Sequence, residues 1–183
     1  MEKREKSSKW IFLIFIPFLI WILSQFIAPL VLPNSSIDNL SGHVGVEDNI
    51  KLINEIPSPW NTIYSWGDRL CHQNKDRSFF INENQMPFCS RCTAIWLGLA
   101  IGLGFMVFYK IELDEKFLFL IIIGIVPIGI DGIGQLLKFW ESTNIIRFFT
   151  GLLAGILCGI AIAIIIDEIN SLNILARVQK KPN

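Results

Sequence analysis

The sequence predicts an all-α, polytopic membrane protein with four transmembrane helices and a long extracytoplasmic loop between the first and second. The chain is 52% hydrophobic, and its mean hydropathy is +0.49. Four stretches are close to or longer than the roughly 20 apolar residues that a helix needs to cross a bilayer. The 183 residues are enough for one compact domain.

The four predicted spans differ in their polar content. Only Ser24 and Gln25 interrupt the first span, the third contains Asp131 and Gln135, and the fourth has Arg147 near its start. The predicted order is a tail at 1–9, a span at 10–33, a loop at 34–92, spans at 93–110, 117–139 and 144–168, and a tail at 169–183.

A cleaved signal peptide is the alternative interpretation of the first span, because the chain begins with basic residues. The apolar run is longer than the 7–15 residues or so of a signal core, and no small-x-small cleavage site follows it. We therefore expect an anchor that stays attached.

Basic residues in the short flanks predict the orientation, since Lys and Arg concentrate on the cytoplasmic side. They lie in the two tails and in the turn between the second and third spans: Lys3, Arg4, Lys6, Lys9, Lys110, Lys116, Arg177, Lys180 and Lys181. The sequence thus predicts a multi-pass protein of the cell membrane with both termini in the cytoplasm. The formal net charge of +0 gives no reason to expect nucleic acid as a partner, whereas the lipid bilayer is implied. The oligomeric state is not indicated.

The loop at 34–92 has two parts. Residues 34–50 are polar and predict irregular structure. Beyond them, the spacing of Trp60, Tyr64 and Trp66 predicts a short helix with an aromatic face, which begins near Pro57 and Pro59 and lies at the membrane interface.

Cys71, His72, Cys89 and Cys92 form the most informative cluster, with three thiols and an imidazole within 22 residues. Zinc prefers tetrahedral sets of Cys and His, and C-x-x-C is the usual half of such a site. Because adjacent residues seldom face the same ion, we expect only one of Cys71 and His72 to bind it. The remaining position would be taken by His43, a carboxylate or water.

The same cysteines allow two other interpretations. A C-x-x-C pair at the start of a helix has a lowered thiol pKa, as in thiol–quinone oxidoreductases. A disulfide that only fixes the loop is the other alternative, and it is preferred to the redox role. Three thiols on one side of the membrane fit a metal site better than a set of paired disulfides, since Cys158 lies deep in the last span. The usual c-type haem motif is excluded, because Thr93 follows Cys92.

Polar residues inside the spans form a second candidate site. Asp131 and Gln135 share one helix face, and Arg147 enters the next span at a similar depth. Asp131 and Arg147 are predicted either to lock two helices as an ion pair or to act on a substrate. Glycines at every fourth position, Gly98-x3-Gly102 and Gly151-x3-Gly155-x3-Gly159, predict close helix packing instead.

Four segments are distinctive together: CHQNKDRSFF, CSRCTAIWLG, PIGIDGIGQ and STNIIRFFTGLLAG. They resemble an uncharacterised family of small prokaryotic membrane proteins, a domain of unknown function, through the patterns C-H-Q-x3-R-S and C-x-R-C-T. The family pattern continues Gly-Ile-Tyr where this chain has Ala94-Ile95-Trp96. The resemblance implies no reaction. It points to Cys71, His72, Gln73, Arg77, Ser78, Cys89, Arg91, Cys92, Asp131, Gln135 and Arg147.

Three functions remain open from the sequence. The first is a zinc-dependent enzyme acting on a lipid or anionic headgroup, with Asp131, Arg147 and Gln135 as catalytic residues and Arg77 and Arg91 as substrate-binding residues. The second is a non-catalytic membrane protein with a structural metal or disulfide. The third is a thiol–quinone oxidoreductase.

Overall fold

The structure is a computed structural model that describes the backbone of residues 2–3 and 8–179 and the side chains of residues 8–172. Arg4, Lys6, Lys180 and Lys181, which helped to predict the orientation, lie outside the described residues.

Helices make up most of the described chain, and the strands are only two residues long. In chain order the elements are β1 (Glu2–Lys3), α1 (Lys9–Val31), α2 (Ile50–Glu55), α3 (Trp60–Leu70), β2 (Phe80–Ile81), β3 (Asn84–Gln85), α4 (Ser90–Phe108), β4 (Tyr109–Lys110), α5 (Glu115–Leu136) and α6 (Asn144–Gln179). Four helices are long and apolar enough to cross a membrane: Lys9–Val31, Ser90–Phe108, Glu115–Leu136 and Asn144–Leu172. The predicted all-α class with four transmembrane helices is confirmed.

Two of the long helices, α1 and α5, begin after a residue whose side chain caps them. The Asp114 carboxylate accepts a hydrogen bond of 2.7 Å from the Phe117 N–H and so caps α5. Ser8 caps α1 in the same way. Pro17 and Pro29 lie inside α1, and Pro127 lies inside α5, which membrane helices tolerate better than soluble ones.

The closest helix pair is α4 with α6, and glycines bring the two backbones together. A methyl group at Gly155 would lie 3.0 Å from the Cα of Gly98, and one at Gly159 would lie 3.1 Å from the Cα of Gly102. The predicted packing role of these glycines is confirmed. In the apolar membrane-spanning stretch of each helix, 44% of the residues are buried in α4 and α6, against 22% in α1 and α5. The outer pair therefore leaves most of its apolar surface for lipid.

The chain between α1 and α4 folds into a compact unit, called here the connecting segment (residues 32–89). Its own apolar core joins α2 and α3 to the end of α1: Ala28, Leu32, Ile37, Leu40, Ile53, Ile56 and Tyr64. Two buried amides organise its backbone. The side chain of Asn84 accepts from the Ile37 N–H at 2.9 Å, and that of Gln85 accepts from the Leu40 N–H at 2.9 Å.

The connecting segment is more ordered than its composition indicates. The predicted aromatic helix is present as α3, and residues 34–49 are irregular, as expected. The sequence interpretation missed α2 and the hairpin of β2 with β3, both short. The hairpin turn places Asn82 and Glu83 at φ of 53° and 57°, as a two-residue type I′ turn requires.

Candidate metal centre

Cys71, Cys89 and Cys92, called here the thiol cluster, meet where the connecting segment joins α4. Their sulfur atoms all lie within 4.8 Å of one another. Cys71 follows the last residue of α3, Cys89 is the N-cap of α4, and Cys92 is in the first turn of that helix. Cys71 is buried, and the other two are half-buried.

A close approach between α3 and the residues before Cys89 positions the cluster. A methyl group at Gly67 would collide with the Pro87 carbonyl oxygen and would lie 2.6 Å from the side-chain nitrogen of Gln73. That Gln73 nitrogen donates to the same Pro87 carbonyl at 2.8 Å. Gly67 and Gln73 thus hold the Pro87–Cys89 chain against the end of α3.

The sulfurs also interact with one another and with the backbone. The Cys89 N–H donates to the Cys71 sulfur at 3.2 Å. Hydrogen bonds to the sulfurs of Cys89 and Cys92, together with burial, raise the pKa of the Cys71 thiol far above its usual range. The thiols of Cys71 and Cys92 lower the pKa of Cys89, because their hydrogen bonds stabilise its thiolate. Of Cys71 and Cys89, Cys89 is therefore the first to ionise.

The histidines lie apart from the thiol cluster. His72 is exposed and is not part of the group of ligand atoms that meet. His43, considered as a fourth ligand, is also exposed, and its Nδ1 lies 3.3 Å from the Asp48 carboxylate. Among the described residues, three sulfurs therefore gather without an imidazole.

The intramembrane polar residues form a continuous polar network beside the thiol cluster: Ser90, Arg91, Asp131, Gln135, Asn144 and Arg147. The Arg91 guanidinium forms an ion pair with the Asp131 carboxylate. The Gln135 amide nitrogen donates to Asp131 at 3.1 Å, and its oxygen accepts from Arg147 at 3.0 Å. Each helix after α3 contributes to this network.

The network returns to the start of α4 through Asn144. The Asn144 side-chain oxygen accepts from Arg147 at 3.1 Å and from the Ser90 hydroxyl at 3.1 Å. Its nitrogen donates to the Ser78 carbonyl at 3.3 Å, which ties the connecting segment to α6. Ser90 is the residue next to Cys89, so the polar network and the thiol cluster share the first turn of α4.

The ion pair between Asp131 and Arg147 that the sequence allowed is not formed. Gln135 stands between the two side chains, and Asp131 is engaged by Arg91 instead. Asp131 is thus paired through a third helix. The sequence places Asp131 and Arg147 at a similar depth, but it does not fix the rotation of each helix about its axis.

Arg77 lies at the edge of this arrangement. It is exposed on a 3-10 turn, Lys75–Arg77, one residue before the Ser78 that Asn144 holds. A cavity of about 470 Å³ is lined by Arg77, Gln135, Lys138, Trp140 and Glu141. Gln135 therefore separates this cavity from Arg147.

Sequence reasoning missed the contributions of Gly67 and Ser90. Both are small residues buried against another segment, and single positions of this kind leave no periodic pattern. Gln73 and Ser78 entered only through the family resemblance. In the structure, Gln73 holds Pro87 and Ser78 accepts a hydrogen bond from Gln85 at 3.2 Å, so both support the connecting segment.

Comparison with known proteins decides the family. The family model described as a predicted membrane protein (DUF2085) matches residues 71–172, which include the thiol cluster and the polar network. The chain belongs to this family. The resemblance seen in the sequence, to an uncharacterised family of membrane proteins, is therefore confirmed.

Two archaeal relatives extend the comparison. An uncharacterised protein of Methanocaldococcus jannaschii is 32% identical over 151 residues, which cover 81% of this chain and 86% of the relative. An uncharacterised protein of Methanothermobacter thermautotrophicus is 36% identical over 87 residues, covering 48% of this chain and 78% of that protein. No solved structure matches the chain. These names carry no reaction, so the chemistry has to come from the site.

Proposed function

We propose that this membrane protein binds zinc through Cys71, Cys89 and Cys92. The metal would be used in chemistry on a lipid or anionic headgroup at the outward-facing surface of the cell membrane. The observation that supports this most is the meeting of three sulfurs within 4.8 Å. A zinc–sulfur bond of about 2.3 Å places tetrahedral sulfur ligands about 3.8 Å apart. A small contraction of the cluster would reach that geometry.

A metal explains all three sulfurs, whereas a disulfide explains two. A disulfide of any two members would leave the third sulfur beside it in a cluster that is largely shielded from water. Cys71 is 1% exposed, and it accepts a backbone N–H hydrogen bond. Such N–H···S contacts are typical of the outer shell that orients metal ligands. The arrangement therefore favours a metal over a loop-fixing disulfide.

The charges around the cluster favour the same conclusion. Zinc bound by three thiolates carries a net charge of −1, which needs positive partners in a membrane setting. The buried Arg147 guanidinium is linked through Asn144 to Ser90, the residue next to Cys89. Because Asp131 already pairs with Arg91, the charge of Arg147 makes this region positive, which favours both a metal–thiolate centre and an anionic substrate.

Three protein ligands leave a fourth position on zinc, which is the pattern of catalytic rather than structural sites. A water in that position becomes acidic enough to serve as a nucleophile near neutral pH. In this proposal Gln135 and Arg147 orient the substrate, and Arg77 attracts its anionic group. Arg91 and Asp131 act together as a charge pair that holds α4 and α5 in place.

Elemental analysis of the purified full-length protein tests the metal. About one zinc per chain is expected, and Cys71→Ser, Cys89→Ser and Cys92→Ser should each remove it. Cys158→Ser is the matched control, because this exposed cysteine of α6 is outside the cluster. Thiol counting before and after reduction completes the test. A metal-free protein with a full-occupancy disulfide in the cluster contradicts the proposal.

A metal-free protein whose cysteines change between thiol and disulfide would favour a different function, that of a thiol–quinone oxidoreductase. Cys89 and Cys92 are half-buried at the start of a membrane helix, and Cys71 is within reach as a third sulfur. This is the arrangement in which one thiol can exchange with a disulfide of the other two. Labelling that depends on redox state, with no bound metal, would support this function over the zinc enzyme.

The proposed orientation places both termini in the cytoplasm and the connecting segment outside. The basic turn with Lys110 and Lys116, at the other end of α4 from the cysteines, supports it. A membrane-impermeant thiol reagent, added to whole cells after mild reduction and chelation, should label Cys89 and Cys92. Reporter fusions at both termini should be active only in the cytoplasm. Labelling of these cysteines only in broken cells would indicate the opposite orientation, with the connecting segment in the cytoplasm.

A further inference from the structure

We infer that the cavity bounded by Arg77, Gln135 and Lys138 binds a phosphate group, as the headgroup of a lipid or as free phosphate. The inference deepens the proposed function by naming the substrate class, and it rests on that function only for the reaction that follows binding. The cavity measures about 470 Å³ and lies between the connecting segment and the end of α5.

Buried positive charge behind the cavity is the first observation. Arg147 is 6% exposed, and its two terminal nitrogens donate to the neutral amides of Asn144 and Gln135. Its Nε is buried without a hydrogen-bond partner. In the described part of the chain no carboxylate forms an ion pair with Arg147. A buried charge in this state is costly, and an anion nearby lowers that cost.

The grouping of arginines around the polar network is the second observation. Arg91 joins the network from α4 through its ion pair with Asp131, and Arg77 lies in the cavity wall with Gln135, the residue that Arg147 contacts. The bond from Asn144 to the Ser78 carbonyl holds the Arg77 turn close to the start of α6. Three arginines therefore border a polar network in which Asp131 is the one carboxylate. An anion in the cavity would lie between like charges.

The placement of the basic residues around the cavity favours phosphate over a carboxylate. Arg77 lies in the cavity wall on the side of the connecting segment. Lys138, the residue after the C-cap of α5, lies in the wall on the side of that helix. Arg147 adds its charge from behind Gln135. A tetrahedral group with several non-coplanar oxygens can face all three directions, and guanidinium groups pair well with phosphate. Trp140 in the wall is typical of residues at the membrane boundary, where phosphate headgroups lie.

The test uses the full-length protein in a neutral detergent and measures equilibrium binding of two probes. The first probe is a short-chain phosphatidic acid, with diacylglycerol of the same chains as the uncharged control. The second probe is inorganic phosphate. Binding of both probes supports a site for phosphate itself, and binding of the lipid alone supports a headgroup site. Binding of neither, or equal binding of diacylglycerol, overturns the inference.

Variants with opposite expected signs make the test specific. Arg77→Gln should weaken binding about tenfold, because it removes a charge-assisted contact. Glu141→Gln should strengthen binding about threefold, because it removes the acid from the cavity wall. Lys75→Gln, an exposed basic residue of the same turn, should change binding less than twofold. An equal loss in Lys75→Gln and Arg77→Gln would mean general surface attraction and would overturn the site.

Arg147→Gln tests the buried charge, with Arg147→Lys as the conservative variant. We expect Arg147→Gln to weaken binding about tenfold and Arg147→Lys to recover part of it. If either variant fails to fold, Arg77→Gln and Glu141→Gln still decide the question, since both side chains are exposed. Zinc content is measured in every sample. Zinc without phosphate binding contradicts this inference alone, and phosphate binding without zinc contradicts the proposed metal function alone.

Discussion

Two regions of the α4–α6 contact are built in opposite ways. In the middle of the helices the backbones touch through glycines, and no side chain separates Gly98 from Gly155. At the start of both helices the contact is made by polar side chains, with Ser90 and Asn144 joined at 3.1 Å. The glycine region carries no reactive side chains, and the polar region buries little apolar surface.

Helix packing sets the geometry of the site. Gly151 connects the two regions, since a methyl group there would lie 2.7 Å from the Arg91 carbonyl oxygen. Only a glycine lets the start of α6 come so near to Arg91, and so brings Arg147 and Asn144 beside the thiol cluster. The glycine contact is therefore the support on which the polar network and the cysteines depend.

Breaking the glycine contact should have the greatest effect. Gly155→Leu would force its side chain against the backbone of α4, because a Cβ at Gly155 already collides with the Ile95 carbonyl oxygen. We expect loss of folded protein, measured by size-exclusion chromatography and thermal unfolding. Gly129→Leu is the matched control, as nothing lies within 4 Å of a Cβ at that position. Normal folding of Gly155→Leu would show that the helices are held together in another way.

Breaking the Arg91–Asp131 ion pair should have the next largest effect on stability. Asp131→Asn leaves Arg91 without its carboxylate partner, so we expect destabilisation by about 3–5 kcal/mol. Adding Arg91→Gln should recover part of this loss, because it removes the unpaired charge. Thermal unfolding of the single and double variants measures the difference.

The pair Arg69–Glu47, in which Arg69 is exposed and Glu47 is half-buried, is the control for this charge effect. Glu47→Gln should cost no more than about 1 kcal/mol, since exposed ion pairs contribute little. A double variant, Asp131→Asn with Arg91→Gln, that is no more stable than Asp131→Asn alone would show that the cost does not come from an unpaired Arg91.

The sequence predicts the parts of this comparison that are local. Long apolar runs give the four spans, glycines at every fourth position give the packing faces, and C-x-x-C before a span gives two of the three sulfurs. Each of these signals lies within one element. The fold class could be predicted because it is the sum of such signals.

The parts that could not be predicted depend on rotation and on single contacts. Asp131 pairs with Arg91 rather than Arg147 because of how the helices rotate about their axes, and spacing within each helix does not fix that. The hairpin of β2 with β3 was missed because its strands have only two residues each. Cys71 joins the cluster without His72 because of the backbone direction after α3, which the C-H pair does not specify.

Displacing the chain that carries Cys89 should have a moderate effect confined to the metal centre. Gly67→Ala places a methyl group against the Pro87 carbonyl oxygen, so Pro87–Cys89 must move away from α3. We expect a loss of about 1–3 kcal/mol in stability and a clear loss of bound zinc, although no ligand is changed. Thr62→Ala, an exposed position of the same helix, is the control. Full zinc occupancy in Gly67→Ala would mean that the cluster does not need this approach.

The smallest change removes the hydroxyl that joins the two helix starts. Ser90→Ala deletes the bond to Asn144, but the Asn144 oxygen still accepts from Arg147, so no buried acceptor is left unpaired. A loss of about 1 kcal/mol is expected in thermal unfolding, with zinc retained. Asn144→Leu, which also removes the bonds to Arg147 and Ser78, should cost more. If Ser90→Ala instead loses zinc, as is expected of Cys92→Ser, the polar network is part of the metal centre rather than a contact beside it.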